Sequence, residues 1–262
     1  MAMRFVDEAG RAHSDDLAFF RMLATVMAIV QVTGFAFHFA MGRSSLDAPL
    51  FVHAHAVVFM GWVAIFAVQP WLANAGASGW HRTLGRIAMV WACGLLVFGL
   101  LVTWETVRTG RTPFFFQPQH FLFANPLTLF GALGLLAAAI TLRKHQDWHP
   151  RLQIGSFVLL MGPGFGRLLP MPFLPPHAFE IASLAALVFV AVAAGRDGWR
   201  RRQVHPAWAW TVLVLLGSLL LARGLAVSPA GPALHAVAVA GTPAEGSDGM
   251  AFPPPPAPPP GN

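Results

Sequence analysis

Eleven histidines, one cysteine and no tyrosine among 262 residues restrict the chemistry at the outset. Cys93 alone can make no internal disulfide, no cysteine zinc site, no cysteine-ligated iron–sulfur cluster and no c-type haem attachment. A metal or haem iron would rest on imidazoles, with Met, Asp or Glu in support. The histidines fall into two layers. His38, His53, His55, His120 and His177 lie beside one end of long apolar segments, and His81, His145, His149 and His205 lie beside the other. His13 and His235 sit in the two tails. Each histidine by itself reads most simply as an interfacial side chain. Five at one depth on four helices are a set from which a bundle can build a ligand site.

One segment carries a stripe. His55, Phe59, Trp62, Phe66 and Gln69 follow i, i+4, i+7, i+11, i+14 spacing, which places them on one helical face. That face is either the core-facing side of the helix or a wall for a planar cofactor with His55 as ligand. His53 and His55 are about 200° apart on a regular helix, so only an irregular start lets both hold one ion. A later segment opens His177-Ala178-Phe179-Glu180, with imidazole and carboxylate at i, i+3. Within the spans Glu180 is the lone acidic residue apart from Glu105 at an end. A carboxylate in a bilayer costs about 2.5 kcal/mol or more and needs a partner. Arg167 is the expected one, as a structural ion pair. Otherwise Glu180 is a metal ligand or proton relay, with Arg167 facing an anionic group such as a haem propionate. Gln31 and His38 share a face, and Asn125-Pro126 marks a polar kink.

The elements that must position these residues are membrane helices. The chain is 56% hydrophobic and 11% charged, with a mean hydropathy of +0.59; soluble domains carry about 25% charged residues. An ordinary cytosolic enzyme and a disordered chain are thereby excluded. About 20 apolar residues cross a bilayer, and seven segments qualify: 18–40, 51–73, 84–104, 121–142, 152–169, 178–195 and 207–227. Asp15 and Asp16 can cap the first. The fifth contains Gly162-Pro163-Gly164-Phe165-Gly166 and should break.

An N-terminus inside places 12 of the 17 Lys and Arg residues on the cytoplasmic side. The expected fold class is thus an all-α, polytopic seven-transmembrane-helix bundle, N-in and C-out. Residues 1–17 would be cytoplasmic, 18–227 the membrane domain, and 228–262 a disordered Pro-rich tail outside. The arginines sit singly between apolar runs, so the net charge of +6 reads as bilayer orientation and not as nucleic-acid binding. Arg82 and Arg86, and the run from Arg143 to Leu152, read as orientation and headgroup signals, or otherwise as an inner histidine pair or an anion site. No phosphate loop, nucleophile–His–Asp set or HExxH motif appears, and no enzyme reaction is assigned.

Some of these strings resemble known patterns. His53-Ala54-His55-Ala56 with Gly61-Trp62 and Gln69, then His81-Arg82-x-Leu84-Gly85-Arg86, His149-x-Arg151-Leu152 and Arg167 are similar to a family of uncharacterised bacterial polytopic membrane proteins with HRxLGR and HxRL helix starts. The resemblance spans roughly residues 50–170 and implies fold and an inner-membrane location, without an activity. His53-Ala54-His55 also resembles the His-Ala-His-Glu element of haem- and copper-containing membrane proteins of the nitric-oxide response, with Ala56 where that element is acidic.

The leading expectation is a membrane protein binding haem b or a copper-like metal through outer-leaflet histidines, for electron transfer or metal handling. His55 is the first ligand, with His38, His120 or His177 opposite. Arg167 serves the cofactor, and His53, His55, His120, His177 and Glu180 form the candidate metal set. The alternative is a non-redox transporter or an accessory subunit of a membrane complex; a bare scaffold is the third reading.

Overall fold

A computed structural model describes residues 2–44 and 46–255, with side chains from residue 14 onward. Every regular element among them is a helix. Helices α1 (Ala2–Ala40), α2 (Leu50–Asn74), α3 (Ser78–Arg108), α4 (Pro118–Thr141), α5 (Trp148–Leu159) and α6 (Gly162–Leu168) come first. They are followed by α7 (Ala178–Ala185), α8 (Leu187–Arg201), α9 (Pro206–Val227) and α10 (Ala230–Val239). Six helices are long and apolar enough to cross a membrane: Ser14–Ala40 of α1, α2, α3, α4, the run Ala178–Arg201 made by α7 and α8, and α9. Their outer faces are apolar as well, with Val57, Val90, Val97, Leu213 and Leu220 exposed. So much exposed hydrocarbon suits lipid and not water. The protein is a multi-pass, all-helical membrane protein.

Two boundaries differ from the sequence reading, and a third agrees with it. The run 2–13 is rich in helix formers and continues α1, so Asp15 and Asp16 lie within the helix and do not cap its start. The fifth apolar segment breaks as expected, between α5 and α6, at Leu160 and Met161. The expected disordered tail is corrected over its first part: residues Ala230–Val239 form α10, which packs on α9 and α4. Ala, Val and Leu in residues 230–239 supply a helix-forming apolar run that proline content alone obscured. Pro256 and Pro258 to Pro260 lie outside the described residues.

The chain divides into two units, Met1–Leu95 and Leu96–Asn262. In the first, Phe20, Leu23, Met27, Trp62, Val63 and Phe66 are buried. Trp71 fastens α2 to α1: its indole N–H donates to Thr25 Oγ1 at 3.0 Å, and the Arg21 guanidinium lies 4.6 Å over its ring. Trp91 of α3 donates to the Val58 carbonyl of α2 at 2.7 Å.

In the second unit, α4, α5 and α9 share a core of Ala132, Leu135, Ala139, Leu152, Leu159, Leu215 and Leu219. Lipid tails are as apolar as leucine, so close packing and polar contacts must hold such helices together. Gly155 supplies the closeness: a Cβ there would lie 2.1 Å from Thr211 Oγ1. Ser156 Oγ donates to the Ala132 carbonyl at 2.8 Å.

Candidate functional site

Glu180 stands in the first turn of α7, and Arg223 near the last turn of α9. A carboxylate at a helix N-terminus and a guanidinium near a C-terminus both oppose the helix dipole favourably. The packing joins them. Arg223 Nη2 donates to Glu180 Oε1 at 2.7 Å and to the Pro176 carbonyl at 3.2 Å, while Nη1 donates to Gln117 Oε1 at 3.1 Å. His120, in the first turn of α4, points Nε2 at Glu180 Oε1 from 3.7 Å. The His120 and Glu180 side chains are 5% and 17% exposed. Phe179 packs edge-on against His120 with ring centroids 5.8 Å apart, and Phe116 and Phe121 extend this apolar wall. His120 Nε2 and Glu180 Oε2 are both buried and make no hydrogen bond.

Sequence reasoning paired Glu180 with Arg167, and the structure corrects this. Arg167 Nη1 donates to the Pro163 carbonyl of its own helix at 2.8 Å, and the partner of Glu180 is Arg223. The missed signal was present, since Arg223 is the lone charged residue of α9 and a charge within a span demands a partner. Gln117, ahead of the span, carried no such signal.

Of the other expected residues, His177 is exposed at the start of α7. Helix α2 already runs from Leu50 and the two histidines diverge: His53 Nε2 donates to the Leu46 carbonyl at 3.0 Å, and His55 stacks on Phe59 at 4.2 Å. Along the same stripe Trp62 and Phe66 are buried within α2's packed face. His38 Nδ1 lies 3.5 Å from Ser44 Oγ. His235, placed in a tail from sequence, is buried on α10. Among the described residues no three His, Cys, Asp or Glu side chains converge as a metal set. Two members of the expected metal set, His120 and Glu180, lie side by side, although the sequence reading had not paired them with each other.

A second polar cluster lies at the opposite ends of these helices. Arg151 Nε donates to Asp197 Oδ2 at 2.7 Å, its Nη2 pairs with Oδ1, and Nη1 reaches the Asp147 carbonyl at 2.7 Å. Trp208 Nε1 donates to Asp197 Oδ2 at 2.7 Å. Arg151 and Asp197 are fully enclosed and tie α5, α8 and α9 together. Sequence reading ended the sixth segment at 195 and so passed over Asp197, which belongs to the run Ala178–Arg201.

Close by, His205 caps α9 by accepting the Ala207 N–H at Nδ1, 3.2 Å, and faces Asp147 Oδ2 through Nε2 at 3.4 Å. Burial, then the Arg151 charge, hold the His205 imidazole below its ordinary value against the pull of Asp147. At Asp147 burial pushes upward, but hydrogen bonds from backbone N–H groups and His205 prevail and hold the carboxyl low. This cluster is an anchor: every charge has a partner.

Comparison with known proteins finds no match to a family model, a curated protein or a solved structure.

Proposed function

We propose that this is a seven-span membrane protein in which the His120–Glu180 pair binds and releases a proton, as part of a non-redox transporter or of an accessory subunit in a membrane complex. The observation that carries the reading is the pair of buried atoms without hydrogen bonds, His120 Nε2 and Glu180 Oε2, at the end of membrane spans. A buried polar atom left unmade is costly, and intramembrane ionisable groups without full partners are where proton relays are built. Arg223 balances the Glu180 charge. Net charge in the pocket is then close to zero with neutral His120, and one proton changes it by one unit.

The seventh crossing is supported by the same contact. α4 and α7 begin beside one another at His120 and Glu180, so the chain from Thr141 back to Ala178 must traverse, and α5 with α6 is its route. The charge distribution then favours the N-in, C-out orientation in a bacterial inner membrane, with the site at the outer face.

The test is infrared titration of the protein in lipid nanodiscs. A carboxyl band that titrates and disappears in Glu180→Gln is expected; wild-type protein without such a band overturns the reading.

A metal reading rests on the same two side chains, through the Glu180 oxygen that also accepts from Arg223. Zinc-like bonds to N and O run about 2.0–2.2 Å, so the 3.7 Å between His120 Nε2 and Glu180 Oε1 can hold a bare ion such as copper. A haem b would be the other group that the His120 imidazole could hold. Elemental analysis and oxidised and reduced visible spectra of purified protein test both, with stoichiometric copper or a Soret band as the supporting results and neither as the opposing one.

A further inference from the structure

Beyond α10 the chain turns back across the start of α4. Tight turns carry it: Thr242 N–H donates to the Val239 carbonyl, Glu245 to Thr242 and Ser247 to Ala244, each at 3.1 Å. Asp248 Oδ1 accepts the Met250 N–H at 2.8 Å. Gly241 and Gly246 adopt φ of 67° and 77°, the left-handed region that these reversals need.

Where the segment meets α4, the Gly249 carbonyl accepts the Gln119 backbone N–H at 2.8 Å. That N–H is one of the first-turn donors that no residue of the helix itself can satisfy. Gly249 is seated tightly there, since a Cβ would lie 2.8 Å from His235 Cγ and 2.9 Å from the Gln119 side chain. Next to it, the Met250 carbonyl accepts from Gln117 Nε2 at 2.7 Å. The other end of the same amide, Gln117 Oε1, accepts from Arg223. A continuous line therefore runs from Met250 through Gln117 and Arg223 to Glu180, with His120 beside it.

We infer that residues 240–250 are a strap over this site and that Gln117 is the positioning residue through which the strap holds Arg223 against Glu180. Seated, the strap fixes both ends of the Gln117 amide, and the guanidinium stays shared between Gln117 and Glu180. Unseated, the amide loses its anchor, Arg223 can leave the carboxylate, and water reaches His120. The inference rests on the same site as the proposed function but not on what that site binds.

Imidazole acylation by diethyl pyrocarbonate, read by mass spectrometry on full-length protein in nanodiscs, tests it. Exposed His177 serves as the internal reference. In Gly249→Val, which cannot seat, and in Gln117→Leu, which cannot bridge, His120 labelling should rise about tenfold over His177, the factor that a local opening cheaper by about 1.4 kcal/mol gives. Labelling at His149 and His205, at the far end of the unit, should stay unchanged. No rise at His120 in either variant overturns the strap, and a rise in Gly249→Val alone overturns the role of Gln117. An equal rise at all three histidines reports unfolding of the unit and also overturns it. Failure of the infrared titration leaves this outcome intact, because acylation reads access and not protonation.

Discussion

Glu180 and Asp197 are two carboxylates on one membrane-spanning run with opposite degrees of satisfaction. Asp197 uses both oxygens, on Arg151 and Trp208, whereas Glu180 leaves Oε2 without a hydrogen bond. The first is a fastening and the second a site. Breaking a buried pair by removing one partner costs about 3–5 kcal/mol, so Asp197→Ala should lower unfolding stability by that amount in a denaturant series, with Arg151 stranded. Arg223→Leu should cost about 1.5–3 kcal/mol, the range for hydrogen bonds to charged groups. Adding Glu180→Gln should recover part of that loss, and a double-mutant cycle measures the coupling. At this scale the sequence made Glu180 and His120 legible, because an acidic residue and an imidazole in apolar runs stand out. Gln117 was not legible, because its role exists only where Met250 and Arg223 converge.

Among the elements, α5 and α9 approach through Gly155 and Thr211. Gly155→Ala should destabilise by about 1–3 kcal/mol through overpacking, and Thr211→Ala in the same chain should restore part of it in thermal unfolding. The cap of α9 sets a pH dependence. The His205 imidazole titrates lower in the folded protein than unfolded, so the unfolded chain binds the extra proton first and stability falls as pH drops below about 6.5. His205→Asn keeps an N-cap acceptor without titrating, and its melting temperature should show a smaller loss between pH 7 and pH 5 than wild type. Most spans were readable from apolar runs, and so was the break after Leu159, because glycine and proline interrupt a helix wherever it packs. The helix Ala230–Val239 was not readable, since ten residues beside a Pro-rich end become a stable helix only by packing on α4 and α9.

For the whole molecule, the expected measurement is topology. Reporters placed after residues 44, 112 and 172 should lie on the outer side, and those after 76, 145 and 203 on the inner side. A reporter after 172 on the inner side would count against the crossing by α5 and α6. Composition and segment length determined by themselves that this chain lives in a bilayer as helices, because backbone polar groups cannot be left bare in hydrocarbon. The excess of arginines at one set of ends predicts an orientation, which the reporters test. Which histidine meets Glu180 was decided only by tertiary packing. Helical period assigns a residue to a face and a depth, but contact between α4, α7 and α9 depends on rotation and approach, which small residues such as Gly155 and long-range pairs such as Arg151–Asp197 set across 46 positions of sequence.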